Sequence, residues 1–492
     1  MLIAPCPGRR DCTIVHVDPS QLEPRRDLTL THASALVVGV IIGTGIFLKS
    51  ASMAQAVGTP GLVLGAWVVA GVVAMFGALC FAELGSLLPH AGGEYVYLRA
   101  AYGEVPGFLF ACNAFVLGGA ALAAYGAAVA IFLADMHPFG RELFAFDAHL
   151  FGGSYHFAFG ERQLVAIAVI WLFAAINCAG VVFGGRVQSL LTAAKVLAVL
   201  GVTLGVLLFS RSGTLANLGP GGGATGGLAG FGAALFAALW AYSGWQFLPM
   251  AAAEVREPQR TLPRAIVGGT LVVLALYLLV NFSYLYALPF WQVTSANSTA
   301  YPEAPSVATR AVQTFLGARA APIAALIFLV STVGSLNGMM LSAARVPYAA
   351  ARDGLFFAAF GRLNVRARVP AFSLVLLAAW ATVLAASGTF DQLTNMAVMS
   401  YALFWIPVSL AVIVLRRRLP QAPRPYRVPL YPLVPLLFAL VMLWIVVSAL
   451  MTSPKESSAT IVLILLGLPL YLLLRRRRAP GTPVRPSPAP RG

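Results

Sequence analysis

Apolar runs almost free of charge, separated by short polar or Gly/Pro-containing connectors, tile the chain from residue 33 to residue 474. A helix rises about 1.5 Å per residue, so about 20 apolar residues carry it across the roughly 30 Å hydrocarbon core of a bilayer. The pattern predicts about twelve such spans. They fall near residues 33–48, 62–82, 106–134, 164–183, 187–209, 230–253, 265–288, 321–344, 371–387, 393–415, 434–450 and 459–474. The first run follows a basic stretch but no small-residue cleavage site, and is read as an uncleaved span.

Two runs carry helix breakers near their middles. Span 1 reads Gly39-Val40-Ile41-Ile42-Gly43-Thr44-Gly45-Ile46-Phe47, and span 6 reads Trp240-Ala241-Tyr242-Ser243-Gly244-Trp245 with Pro249 beyond. Freed backbone groups are tolerated at membrane depth only where protein buries them or where they line a cavity. Taken singly, span 1 would also suit a Gly39/Gly43 packing face, and span 6 an ordinary aromatic helix. Their relation adds weight: an odd number of spans per repeat inverts its topology, and paired broken helices at matching positions of inverted halves point to a transport site near the midplane. The outer half of span 1 would start with unpaired N–H groups and a positive dipole end, suiting a carboxylate. Carbonyls freed in span 6 would suit an ammonium. The pair matches an amino acid, although another small dipolar solute would fit nearly as well.

Composition agrees: 59% of the 492 residues are hydrophobic and 10% are charged, against roughly a quarter charged in soluble proteins. The net charge of +16 would suggest nucleic acid in a soluble chain. Sorted by connector, with the N-terminus inside, 25 of the 33 Lys and Arg residues fall on one side. That is the positive-inside pattern, and it removes the main support for a nucleic-acid partner. The cysteines (Cys6, Cys12, Cys80, Cys112, Cys178) and histidines form no ligand-spaced set, so no metal or cofactor is expected. The glycine-rich stretch 219–227 lacks the Lys and Ser/Thr of a phosphate loop and reads as a flexible external connector. Glu83 and Glu254, at span ends, are expected to pair with nearby arginines.

Lys195 stands apart, nine residues past Arg186 in the run Leu190-Leu191-Thr192-Ala193-Ala194-Lys195. That places it about 13 Å into the membrane. Such a lysine is either functional and supplied with partners or snorkels to the surface.

At these residues the chain resembles the amino acid permeases of the amino acid/polyamine/organocation superfamily, most of all the L-type amino acid transporter branch and its bacterial relatives, over residues 28–450. The motifs are Gly43-Thr44-Gly45-Ile46-Phe47, Ala82-Glu83-Leu84-Gly85 with Gly92-Gly93-Glu94-Tyr95, Ile176-Asn177-Cys178-Ala179-Gly180, Arg186-Val187-Gln188 through Lys195, Trp240 to Trp245 with Glu254-Val255-Arg256-Glu257-Pro258, and Ala344-Arg345-Val346-Pro347-Tyr348 through Gly354. The resemblance implies an all-α membrane protein with a five-plus-five inverted repeat of the LeuT type, discontinuous helices 1 and 6, and two further helices. The organisation would be an N-terminal cytoplasmic segment 1–32, a core 33–415 (repeats 33–210 and 230–415), helices 11 and 12 in 416–478, and a disordered tail 479–492. It implies carboxylate binding at the backbone of Ile41, Thr44 and Gly45, and amino-group binding around Trp240, Ala241 and Ser243, with Trp240 as an aromatic lid. Lys195 would take the place of a sodium ion in sodium-coupled relatives, contacting span 1 and Ser331 or Thr332 of span 8.

The expected activity is sodium-independent transport of amino acids across the cell membrane, by exchange or proton coupling, with both termini cytoplasmic. Ser243, where some cationic-substrate relatives carry an acid, tilts the substrate towards neutral amino acids; cationic amino acids or polyamines are the alternative. Animal light chains of this branch bond to a heavy subunit through a cysteine between spans 3 and 4. Residues 135–162 contain none, so no such partner is expected. A membrane enzyme lacks a catalytic constellation here, and a channel would need a ring of charges or carbonyls around a symmetric pore.

Overall fold

Every apolar run becomes a helix in the computed structural model, which describes residues 22–476 apart from 137–138, 151–152, 220–222, 299, 302–303 and 388–389. The segment before residue 22 and the tail after 476 therefore lie outside the described residues. Ten helical stretches are long and apolar enough to cross a membrane, and two shorter apolar helices, Gly227–Tyr242 and Ala371–Ser387, bring the spans to twelve. Span 2 shows how a boundary is made: Thr59 accepts a hydrogen bond from the Leu62 N–H, and Pro60 takes the first turn, where its missing N–H is harmless.

Both expected breaks are present. Span 1 consists of Leu30–Ile41 and Gly45–Val57. Span 6 consists of Gly227–Tyr242 and a short helical turn, Phe247–Met250. Span 3 (Glu104–Met136, 33 residues) runs through the middle of the bundle and packs on spans 4 (Glu161–Cys178), 8 (Ala320–Ala343), 9 (Ala371–Ser387) and 10 (Phe390–Arg418). Span 7 (Pro258–Ala287) lies along span 2 (Pro60–Leu87) and the first half of span 1. Spans 11 (Leu433–Thr452) and 12 complete the bundle, span 12 being divided into Pro454–Leu465 and Gly467–Arg476.

Span 5 (Val181–Phe209) is amphipathic in the sense opposite to a soluble helix. Leu190, Leu197, Leu204 and Leu208 are exposed, whereas Gln188, Thr192, Lys195 and Thr203 are buried. Those polar positions are four, three and eight residues apart, all close to whole helical turns, which puts them on one face directed at the bundle, and the leucines face outward where lipid would solvate them.

The connectors differ from a plain loop reading in three places. Glu142–Leu150 (β1) pairs antiparallel with Gly153–Gly160 (β2), with Phe146 opposite Phe157. The alternation in Leu143-Phe144-Ala145-Phe146 and Tyr155-His156-Phe157-Ala158-Phe159 is the period-two pattern of a strand. Short helices Phe290–Thr294 and Val307–Leu316 follow span 7, and Arg345–Arg352 follows span 8. The glycine-rich connector, read as flexible, is docked where it is described: the Thr225 N–H donates to the Val57 carbonyl (3.2 Å), which fastens it to the end of span 1.

Candidate functional site

The two breaks lie against each other. Gly244 has a positive φ of 155°, and a Cβ there would fall 2.6 Å from the Ile41 nitrogen; one on Gly45 would fall 2.5 Å from the Ala241 Cα. Only glycine allows backbone to approach backbone this closely. The Tyr277 hydroxyl of span 7 lies 2.7 Å from the Ile41 carbonyl and 3.1 Å from the Ala241 carbonyl and shares its one hydrogen between them, tying together groups that the breaks leave without helical partners.

Around this junction the structure gathers Ile41, Thr44, Gly45, Trp240, Ala241 and Ser243, all buried. Thr44 begins the second half of span 1 without a side-chain cap, so the first N–H groups of that helix and its positive end face the junction. The Trp240 indole N–H donates to the Thr44 hydroxyl at 3.1 Å. Its ring sits 5.5 Å from Tyr125 and 6.4 Å from Phe390, whose ring in turn lies 5.2 Å from the Lys49 ammonium. The Ser243 hydroxyl turns back to the Trp240 carbonyl (3.2 Å).

Lys195 does not snorkel. Its residue is fully buried, and Nζ donates to the carbonyls of Gly39 (2.7 Å), Ile42 (2.8 Å) and Ser331 (2.6 Å), with the Ser335 hydroxyl at 3.3 Å. An ammonium has three hydrogens and no acceptor, and here all three are matched by oxygens without a carboxylate among them. Carbonyls freed by a helix break are the kind of donor set that holds a sodium ion in broken-helix transporters. Ser331 is thus at the lysine, also donating its hydroxyl to Ile42 (2.9 Å). Thr332 is not: its hydroxyl bonds the Phe328 carbonyl of its own helix, and Ser335, one turn past Ser331, stands there instead.

Three parts of this centre were absent from the sequence reading: Ser335, Tyr125 and Tyr277. Ser335 carried a signal, since Ser331 and Ser335 are four apart and share a helix face; the two tyrosines, on spans 3 and 7, carried none. Beside the centre, Asn337 donates to Gln188 (2.9 Å) and accepts from Asn177 (3.0 Å), linking spans 4, 5 and 8.

The Arg-rich end of the bundle is closed by ion pairs. Glu83 meets Arg416 (2.5 Å), and Glu254 meets Arg345 (3.0 Å), as expected of both acids; Arg99 meets Asp353 (2.5 Å).

A bundle of membrane-length helices, interrupted twice at a buried polar junction, defines a multi-pass secondary transporter. The family model for amino acid permeases matches residues 28–473, and the chain belongs to that family. It is 30% identical to the serine/threonine exchanger SteT of Bacillus subtilis (strain 168), over 92% of this chain and 98% of that protein. It is 29% identical to the human b(0,+)-type amino acid transporter 1, over 93% of this chain and 89% of the relative, and 28% identical to the human cystine/glutamate transporter, over 92% and 86%.

Proposed function

We propose that the chain is a sodium-independent exchanger of neutral amino acids in the cell membrane, with both termini cytoplasmic. The observation that carries this reading is Lys195, whose ammonium occupies the carbonyl cluster at the span 1 break where a coupling cation would otherwise sit. A fixed positive charge there removes the need for sodium. The substrate α-carboxylate would lie at the uncapped start of Gly45–Val57, near Ile41, Thr44 and Gly45, and its ammonium against the span 6 carbonyls around Trp240, Ala241 and Ser243. Trp240, packed between Tyr125 (tilted) and Phe390 (edge-on), would cover it. The core 33–415 would be two inverted repeats, 33–210 and 230–415, rocking about this site in alternating access.

Ser243 in place of an acid supports a neutral side chain, as does the relative named as a serine/threonine exchanger. Without a cysteine between spans 3 and 4, the chain would work without a disulfide-linked heavy subunit. The test is a proteoliposome panel of labelled amino acids. Uptake of serine or alanine should rise when the vesicles are preloaded with unlabelled amino acid. Arginine or lysine outcompeting alanine, serine and leucine would transfer the reading to cationic substrates, and uptake of no amino acid or polyamine would end it.

A further inference from the structure

Glu94 opens the helix Glu94–Tyr102 between spans 2 and 3. It is fully buried, and neither carboxyl oxygen has a hydrogen-bond partner at bonding geometry. The other acids at this end are treated differently: the buried Glu83 and Glu254 are each held by arginine, and the half-buried Asp353 by Arg99 and Tyr95. A carboxylate buried without a partner is the arrangement proteins avoid by keeping the proton on.

Its position gives the proton a use. Gly92 and Gly93 precede it with positive φ (113° and 54°), and the Gly92 N–H donates to the Met250 carbonyl at 2.9 Å. A Cβ on Gly93 would lie 3.1 Å from the Met250 nitrogen, and one on Gly92 would lie 2.9 Å from Ala349. The turn that leads into Glu94 is therefore pressed between the Phe247–Met250 end of span 6 and the helix Arg345–Arg352. Alternating access requires those elements to part when the site opens to this face.

The ionisable groups around it do not neutralise it. Tyr97 of its own helix and Tyr401 of span 10 are the titratable neighbours that feel its charge, and both hydroxyls are likewise without partners. On the packed elements, Arg99 is bound to Asp353, Arg345 to Glu254 and Arg416 to Glu83. Glu104 of span 3 accepts from Tyr471 (3.1 Å), and Arg352 reaches the Leu22 carbonyl (3.3 Å). Tyr348 is buried on the Arg345–Arg352 helix, and the helical turn Phe247–Met250 brings no ionisable side chain.

We propose that Glu94 is a proton-binding site coupled to the opening of the Arg-rich, cytoplasmic face, protonated while that face is shut and ionised when water reaches it. This rests on the transporter reading above. One O–H bond forms on closing and breaks on opening, and the proton comes from and returns to cytoplasmic water, so no net proton crosses the membrane. Burial pushes the shut-state carboxyl up to about 8, against about 4.3 for a hydrated glutamate. The shut form binds the proton more tightly, so acid favours it. That preference falls as internal pH rises from about 4.3 to about 8, by up to ~10-fold per unit, and is constant above.

Two measurements on the full-length protein test this. An infrared pH titration should show a protonated-carboxyl C=O band at pH ~7 that disappears on passing about 8 and is missing from Glu94→Gln. Absence of that band from the wild type, or its persistence in the variant, overturns the proposal. In proteoliposomes, amino acid exchange should vary with internal pH in the wild type and be flat in Glu94→Gln; an unchanged profile in the variant overturns it equally. A wild type that shows the band yet exchanges no amino acid at any pH would uphold the proton site and overturn the transporter reading, which separates the two failures.

Discussion

Lys195 and Glu94 are both ionisable and fully buried, and the protein treats them in opposite ways. The lysine receives an oxygen for every ammonium hydrogen, and the carboxyl has no hydrogen-bond partner at bonding geometry. The lysine was legible because a lone charge interrupts an apolar run, and its depth followed from counting residues. Glu94 was legible only as part of a motif, since a charge next to a connector looks solvated until the chain is folded over it. The partners of Lys195 were legible by half: Ser331 and Ser335 share a face, and Thr332, one residue round the helix, points elsewhere. The fit is tight. A Cβ on Gly334 would lie 2.8 Å from both Cε and Nζ of Lys195. Gly334→Ala should therefore push the ammonium off its carbonyls, each unpaired group costing about 1–3 kcal/mol. The expected outcome is a drop in labelled amino acid uptake of ~10-fold or more, with the detergent-solubilised protein still monodisperse on gel filtration. Wild-type uptake by this variant would show that the ammonium position is unimportant.

At the scale of the element, the breaks in spans 1 and 6 were readable because glycine, serine and proline sit where an uninterrupted membrane helix would not place them. What joins them was not readable. The Tyr277 hydroxyl bridges the Ile41 and Ala241 carbonyls, residues 200 apart in the chain, and no local pattern records such a contact. Tyr277→Phe keeps the ring and its edge-on contact with Trp67, 5.6 Å away, while leaving two buried carbonyls without that donor. A loss of about 1–2 kcal/mol in the geometry of the junction should lower uptake ~5–30-fold without loss of folded protein, measured as initial rates over a substrate series. A rate within twofold of wild type would mean that the bridge is dispensable. The β1–β2 pair illustrates the other kind of miss: its alternating pattern was present, but it lies in a connector among far stronger membrane-length runs.

For the whole molecule, the polar interior and leucine-covered exterior follow from the exchange of water for lipid around the bundle, which is why twelve spans could be placed from hydropathy alone. Most basic residues gather on one side, and some of them do more than orient the chain: Arg99, Arg345 and Arg416 each hold a carboxylate and together shut that end. Sequence could place these arginines at span ends but could not assign their partners, which are 91 to 333 residues away. In the proposed mechanism the ion-paired end, the paired breaks and the buried lysine act together: the lysine's fixed charge would replace sodium and the bundle would rock about the junction. Exchange of labelled serine into proteoliposomes preloaded with amino acid, in the absence and presence of sodium, puts that mechanism to the test in wild type and Lys195→Ala. The wild type should exchange at the same rate without sodium, and Lys195→Ala should lose exchange; a several-fold stimulation of the wild type by sodium, or full activity in Lys195→Ala, would contradict it.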